Sequence, residues 1–364
     1  MRHRFHSLCP YFAMFPEAFA ETWIERLTRP GDYILDPFCG RGTTPFQALL
    51  MGRNAIAGDI NPVAYCVTRA KTNAPKLSLV RRRLTALERE FQANAWGGEC
   101  EVLPDFFQLA YSPATLRQVV YLRSRLRWRK SDVDCFLAAL MLGSLHGESS
   151  TSAPYLSNQM PRTISTKPAY SVRFWQSRGL HAPVRDAFNV LRRQLEYRYK
   201  SEPPDGRATV LEVDMRELPR AKRKLPSKVS CVITSPPYLN VTSFEEDQWL
   251  RLWFLGGPPH PTYRKVSKDD RHENPVNYWR MVADMWRTLS LVLAPKSNVV
   301  VRFGGKGLAP GQLIETLAAS SAVSRRRVRI ASHEISEIKN RQTDAFRPGS
   351  KGCLIEVDCH FIMA

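Results

Sequence analysis

Two short segments of this 364-residue chain carry residue types whose spacing could do chemistry. The first is Thr234-Ser235-Pro236-Pro237-Tyr238, which ends the apolar run from Lys228 to Thr234. Two consecutive prolines fix φ and remove two backbone donors. The loop they stiffen exposes acceptors: the Thr234 side chain, or the Ser235 and Pro236 carbonyls. Acceptors are what an aromatic amino group requires, because its lone pair is delocalised into the ring. Hydrogen bonds from its protons to fixed acceptors favour pyramidalisation and free the lone pair to attack an electrophile. Tyr238 adds a flat face for stacking a base turned out of its helix. Such a stack is worth about 1–3 kcal/mol, against the few kcal/mol that flipping costs.

The second segment is Leu35-Asp36-Pro37-Phe38-Cys39-Gly40-Arg41-Gly42-Thr43-Thr44. An apolar strand ends in an acid, then turns through Gly40 and Gly42 into a helix opening at Thr43. Glycine lets a ligand approach the backbone closely. A dinucleotide loop would offer helix N–H groups to a pyrophosphate; here the strand ends in Asp36, and the third glycine of that fingerprint is absent. S-adenosylmethionine has no phosphate and carries an ammonium and a sulfonium, so a carboxylate at the loop suits it better. Asp59, in Gly58-Asp59-Ile60-Asn61-Pro62, stands where an acid ending the second strand grips ribose hydroxyls. Asp214, ending the next strand, is a candidate for the adenine amino group; the alternative is a surface acid opening a turn.

Together these segments resemble the amino-methyltransferases of DNA, the N4-cytosine and N6-adenine family. D-P-F-C-G-R-G-T-T matches that family's cofactor motif and S-P-P-Y its catalytic motif. The resemblance covers about residues 5–72 and 209–361. It implies S-adenosylmethionine as cofactor, held by Asp36, Pro37, Phe38, Gly40, Gly42, Thr43, Asp59, Ile60 and Asp214. It implies Ser235, Pro236, Pro237 and Tyr238 as the catalytic set. His6 to Pro16 is similar to the family segment covering the methionine end of the cofactor, which makes Tyr11, Phe12 and Phe15 candidate packing residues. Most N6-adenine enzymes carry Asp where Ser235 stands, whereas Ser is commoner in N4-cytosine enzymes. Cytosine N4 in double-stranded DNA is therefore the favoured target, with adenine N6 or RNA as alternatives. A cognate restriction endonuclease would be a functional partner rather than a physical one. The cofactor motif precedes the catalytic motif, the reverse of the commonest N4-cytosine order, so target recognition has no ready-made position.

The elements that must position these segments follow from periodicity. Tyr33 to Leu35 and Asn54 to Gly58 read as strands, with helices from about Thr43 to Met51 and Val63 to Lys71. Leu79 to Phe91, Ser131 to His146 and Val184 to Tyr199 have helical periodicity. The polar stretch Gly147 to Ser171 is long for a structureless loop, so the expectation is that it is functional or ordered by a ligand. Strands return at Thr209 to Val213, Lys228 to Thr234 and Asn298 to Phe303, with a helix from about Val276 to Leu293. Val328 to Ile338 and Gly352 to Phe361 read as a closing pair. The expected architecture is a Rossmann-like class I methyltransferase core, α/β with a mostly parallel seven-stranded sheet. Residues 1–74 and 205–364 would form that core, and 75–204 a helical insertion that reads the target. Within it, Pro154 to Arg173 is polar with aromatics, which suits contact with a flipped base. Arg264, Lys265, Lys268 and Arg271 after Tyr238 are a second candidate.

Composition agrees with these expectations. The charge is +19, which favours a polyanionic partner through phosphate neutralisation. Basic residues cluster at Arg81–Arg83, Arg123–Lys130, Arg192–Arg193, Arg220–Lys224 and Arg325–Arg327. None of the eight cysteines forms a C-x-x-C pair, and the histidines lack metal-ligand spacing, so no metal site is expected. Cys231 reads as core rather than a nucleophile, and Trp249 and Trp253 as the core of a helix. No apolar run is long enough to cross a bilayer, which points to a reducing cytoplasm.

Overall fold

The computed structural model describes residues 2–11, 14–148, 155–221, 225–226, 229–239, 243–262, 274–304, 309–337 and 355–364. It divides into two units. One, the sheet unit, holds 13–68, 204–243 and 267–364; the other, the helical unit, holds 1–12, 69–203 and 244–266.

In the sheet unit, β2 (Asn54–Asp59), β4 (Val229–Thr234) and β5 (Ser297–Gly304) are buried at almost every position. Such runs belong to a sheet covered on both faces. With β1 (Tyr33–Asp36), β3 (Thr209–Glu212), β6 (Val328–Glu337) and β7 (Ile355–Met363) they form one seven-stranded sheet, ordered β3-β2-β1-β4-β5-β7-β6. The first five strands in that order pair in parallel; β7 is antiparallel to β5 and β6 antiparallel to β7. This strand order with its reversed β7 is the expected class I methyltransferase core. On one face, α13 (Pro275–Val292) and α14 (Pro310–Ser320) bury Trp286, Met285, Leu313 and Leu317 against Val232, Val299 and Phe361. On the other, α1 (Glu17–Leu27) and α2 (Thr43–Leu50) cover Ile34, Cys231, Ile233 and Val300. The helix α13 begins where the chain dictates: the Asn274 side chain accepts from the Val276 and Asn277 amides, and Pro275 occupies the first turn. Chain direction along the sheet reverses between β1 and β4, the place where open α/β sheets bind ligands beyond their strand ends.

Helix α3 (Pro62–Thr72) runs across the division of the chain. The helical unit contains α4 (Leu77–Glu90), α5 (Gly97–Glu101), α6 (Asp105–Ala110), α7 (Pro113–Arg125), α8 (Asp132–Ser144), α9 (Pro168–Ser177), α10 (Ala187–Arg198), α11 (Phe244–Asp247) and α12 (Trp249–Phe254). Residues 1–12 and 244–266, which the sequence reading assigns to the core, cluster with these helices instead. Their burial explains why: Phe5 is fully buried and packs on Phe136 and Tyr199, while Trp249 and Trp253 pack on Phe106 and Phe107.

The long polar stretch differs from expectation. Its described part is ordered by the protein itself: the amides of Leu156, Asn158, Met160 and Ser165 donate to Ser144, Ala110, Gly147 and Asp247. Residues 149–154 lie outside the described residues. Leu156, Ser157 and Asn158 are buried, so they cannot meet a base. Exposed aromatic surface lies further on, in α9, where Tyr170 is 56% exposed, stacks with Phe174, and Arg178 lies over the Phe174 ring.

Part of the basic excess is also spent internally. Arg81 pairs with Glu196, Arg83 with Asp134 and Arg192 with Glu88, while Arg123 donates to the Trp253 carbonyl. Lys222–Lys224 and the four basic residues between 264 and 271 lie outside the described residues. The seven described cysteines are buried and free. Among the described residues no helix is long and apolar enough to cross a membrane.

Candidate active site

The site residues of the sheet unit gather where β1, β2 and β4 end. β1 ends at Asp36, whose carboxyl is fully buried. Its Oδ1 accepts from the Phe38 amide at 3.2 Å and from the Thr234 hydroxyl at 2.6 Å. The second bond ties the end of the cofactor-loop strand to the end of the strand that enters Ser235-Pro236-Pro237-Tyr238. Burial pushes the Asp36 carboxyl up to about 7, against the opposing pull of those two donors. The Thr234 hydroxyl donates to Asp36, and its burial, not that bond, withdraws it from a target amino group.

The turn after Asp36 depends on its glycines. Gly40 and Gly42 both have positive φ, 49° and 70°. A Cβ on Gly42 would lie 2.5 Å from Thr68 Oγ1, so this position demands glycine on two grounds. Asp59, ending β2, holds the turn: Oδ2 accepts from the Gly40 amide at 2.8 Å and Oδ1 from the Asn61 amide at 2.9 Å. Burial raises this carboxyl to about 6. The next residue, Ile60, is 44% exposed, an apolar face beside the acid.

The described partners of Asp36 and Asp59 are hydroxyl and amide donors, not cations. Two acids, one buried and one half-buried, with no cation among their described partners suit a ligand that brings positive charge. S-adenosylmethionine, with its ammonium and sulfonium, is such a ligand. The residues present therefore fit the cofactor.

Other expected cofactor residues fall differently. Thr43 opens α2 and accepts from Arg41 Nε at 3.3 Å, while Arg41 is itself buried and paired with Glu17. Phe38 packs against the apolar cluster under α13, and Pro37 lies behind Gly58. Phe15 stacks edge-on against Phe19 in the cluster under α1. Tyr11 belongs to the helical unit, and Phe12 lies outside the described residues. Asp214 caps a short turn and accepts from the Arg216 amide and guanidinium, at 2.7 Å for the closest contact. That is the alternative the sequence left open, an acid opening a turn, with an arginine already on both oxygens.

On the Ser235–Tyr238 segment, Pro236 is buried while Ser235 and Tyr238 are half-buried. The Tyr238 hydroxyl donates to Glu356 Oε1 at 2.9 Å, and Ser235 Oγ lies 3.4 Å from Tyr238 Oη. Burial, together with the facing Glu356 charge, holds the Tyr238 phenol well above its usual range, so it stays protonated. Behind Glu356, Arg302 on β5 makes a two-point ion pair with Asp358, both contacts 2.7 Å, and reaches Glu356 Oε2 at 3.4 Å. The sequence reading missed Glu356, Arg302 and Asp358. Their one signal is charge at alternate positions of strongly apolar strands, which becomes informative only once β5 and β7 are known to pair.

Residues 3–68 match the model of the DNA methylase family, the N6/N4 methyltransferases. The matched stretch contains the acid-ended strand, the glycine turn and Asp59. That stretch of the chain is similar to the family; the rest lies outside the match. A Type II methyltransferase, M.MjaII of Methanocaldococcus jannaschii, is 32% identical over 92 residues, which is 24% of this chain and 17% of that protein. The match thus spans about a sixth of the relative's length. Solved structures similar in outline include TrmN from Thermus thermophilus, with 10% identity, TM-score 0.37 and coverage of 96% of this chain and 49% of that one. Another is the rRNA methyltransferase aviRa from Streptomyces viridochromogenes, with 13% identity, TM-score 0.34 and coverage of 98% and 87%. The class of fold rests on the strand order above, and the family's cofactor is S-adenosylmethionine.

Proposed function

We propose that the protein methylates the exocyclic amino group of a base flipped out of double-stranded DNA, with cytosine N4 the preferred target. The observation that carries this reading is the Thr234–Asp36 hydrogen bond, which binds the strand leading into Ser235-Pro236-Pro237-Tyr238 to the strand that ends at the cofactor turn. A family segment and an amino-group loop are thereby held as one arrangement. When bound, S-adenosylmethionine supplies an electrophilic methyl group. Asp36 and Asp59 would hold it, and the Gly40–Gly42 turn would admit it to the backbone. Ser235, Pro236 and Pro237 would place acceptors around the amino protons. Tyr238 would carry the base on its ring. No covalent enzyme intermediate is needed: Cys231 is buried within β4, with its thiol pushed up to about 12 by burial. Catalysis would rest on orientation and proximity.

Cytosine is preferred to adenine because Ser235 stands where most adenine-specific relatives carry Asp. The target-reading role goes to residues 75–204, supported by the exposed Tyr170 with Phe174 on α9 and Arg178 at its end, an aromatic and cationic surface of the kind that stacks bases. Modification alongside a restriction endonuclease or solitary methylation in the cytoplasm are both compatible roles.

The test is mass spectrometry of nucleosides digested from mixed-sequence duplex DNA after incubation with protein and S-adenosylmethionine. N4-methylcytosine is expected, lost on the order of a hundredfold in Tyr238→Ala with cofactor affinity retained. N6-methyladenine would keep the mechanism and overturn the base. Methylation of structured RNA but not DNA would overturn the substrate.

A further inference from the structure

We infer that Glu356 is a positioning residue that sets the direction of a hydrogen-bond chain and so makes Ser235 Oγ an acceptor facing the target's amino group. The inference rests on the amino-methyltransfer reading above and names the residue by which an amino group would be told from a carbonyl.

A serine hydroxyl can donate or accept, so Ser235 alone cannot distinguish an amino group from a ring carbonyl. Its neighbours remove that freedom. Glu356 is a carboxylate, which accepts and does not donate. Tyr238 must therefore give its one proton to Glu356 Oε1, at 2.9 Å. Tyr238 Oη is then left with lone pairs toward Ser235, 3.4 Å away, and Ser235 must donate to it. With that proton spent, Ser235 Oγ presents only lone pairs to anything else it meets. An amino group, which brings N–H donors, is welcomed; a carbonyl oxygen meets lone pairs and is refused.

The far end of the chain is fixed as firmly. Arg302 has donors only and lies 3.4 Å from Glu356 Oε2, which holds the carboxylate with its other oxygen toward Tyr238. Arg302 in turn is held by both oxygens of Asp358 at 2.7 Å, and its guanidinium lies 4.0 Å from the Phe19 ring centroid. Arg302 and Asp358 are almost fully buried, 7% and 5% exposed, so solvent cannot easily rearrange them. The Tyr238 ring packs near Phe303 with centroids 6.2 Å apart, which keeps the hydroxyl aimed at β7.

This polarity makes Glu356→Gln an instructive change, because glutamine has nearly the same shape but both kinds of group. Arg302 requires the amide oxygen on its side, which leaves the NH2 toward Tyr238. The chain then reverses: glutamine donates to Tyr238, Tyr238 donates to Ser235, and the Ser235 proton points outward at the target's amino protons.

The experiment measures single-turnover methyl transfer to mixed-sequence duplex DNA by nucleoside mass spectrometry for wild type, Glu356→Gln, Ser235→Ala and the double variant. S-adenosylmethionine affinity by calorimetry and the thermal unfolding midpoint are measured alongside. Glu356→Gln is expected to lower the transfer rate at least about tenfold with cofactor affinity and midpoint unchanged. In the Ser235→Ala background the same change is expected to be silent, since no hydroxyl remains to orient. An active wild type with an equally active Glu356→Gln, or losses that simply add in the double variant, would overturn the inference while leaving the methyltransfer reading intact. A wild type that methylates no base in DNA or RNA overturns that reading and the inference with it. Should Glu356→Gln lower the midpoint, a Tyr238→Phe background decides: silence there supports the chain, and a further loss of rate overturns it.

Discussion

In the helical unit, Arg251 is fully buried and its guanidinium donates to three backbone carbonyls, of Leu142, Thr163 and Arg162, at 3.0, 3.3 and 2.7 Å. Beside it His146 is buried and kept neutral, its basicity lowered by burial and then by the Arg251 charge. His146 Nδ1 faces the Pro161 carbonyl at 2.8 Å and must be the protonated nitrogen, so Nε2 accepts from Ser165 at 3.2 Å. In the sheet unit Asp36 is buried to the same degree, yet its two described donors leave the carboxyl pushed up to about 7. The contrast separates two uses of a buried charge. Arg251 and His146 are satisfied by the chain and fasten the segment around residues 159–166 to its helices. Asp36 is under-compensated, a condition expected where a cationic ligand completes the site.

Substitutions in the two units differ in their expected effects. Arg251→Met should cost most, about 2–4 kcal/mol, because it removes a buried guanidinium that donates to three backbone carbonyls, one of them, that of Leu142, on a buried residue. It should lower the unfolding midpoint while leaving S-adenosylmethionine affinity unchanged in the folded protein. A loss of affinity without loss of stability would show that the helical knot is not merely structural. Gly42→Ala should cost about 1–3 kcal/mol, from a positive φ and from the clash with Thr68. Adding Thr68→Ala should relieve the clash but not the backbone strain, so a complete rescue would contradict the second half of that account.

Asp36→Asn should have the smallest effect on stability and the opposite sign. The folded-state carboxyl titrates near 7 against an ordinary 3.8, so the folded protein holds a proton that the unfolded chain has released. Its contribution is fully present below about pH 4 and is lost as pH rises toward 7. Asparagine keeps the acceptor for Phe38 and Thr234 but carries no charge. Unfolding followed from pH 4 to 8 should therefore decline less steeply in Asp36→Asn, leaving the variant about 1–2 kcal/mol more stable than wild type at pH 8. Calorimetry should show that its cofactor affinity has fallen. A variant less stable at pH 8, or one that binds the cofactor as well as wild type, would remove Asp36 from the contrast.

Much of this molecule is legible along the chain because its signals are local. The glycine turn, the strands that end in Asp36 and Asp59, the Asn274-Pro275 helix start and the two prolines after Ser235 all act through neighbours a few residues away. Local sterics and periodicity decide such features, so they can be read in order from the residues. What only the tertiary structure decided are meetings across long separations. The Thr234 hydroxyl donates to Asp36, 198 residues away, and Tyr238 meets Glu356 across 118 residues. Residues 1–12 and 244–266 join the helices rather than the sheet because their aromatics find buried partners there. Sequence leaves Asp214 between an adenine contact and an acid opening a turn; packing places Arg216 on both its oxygens. The order of residues sets what each group can donate, accept or bury; strand pairing and packing settle which partner it finds.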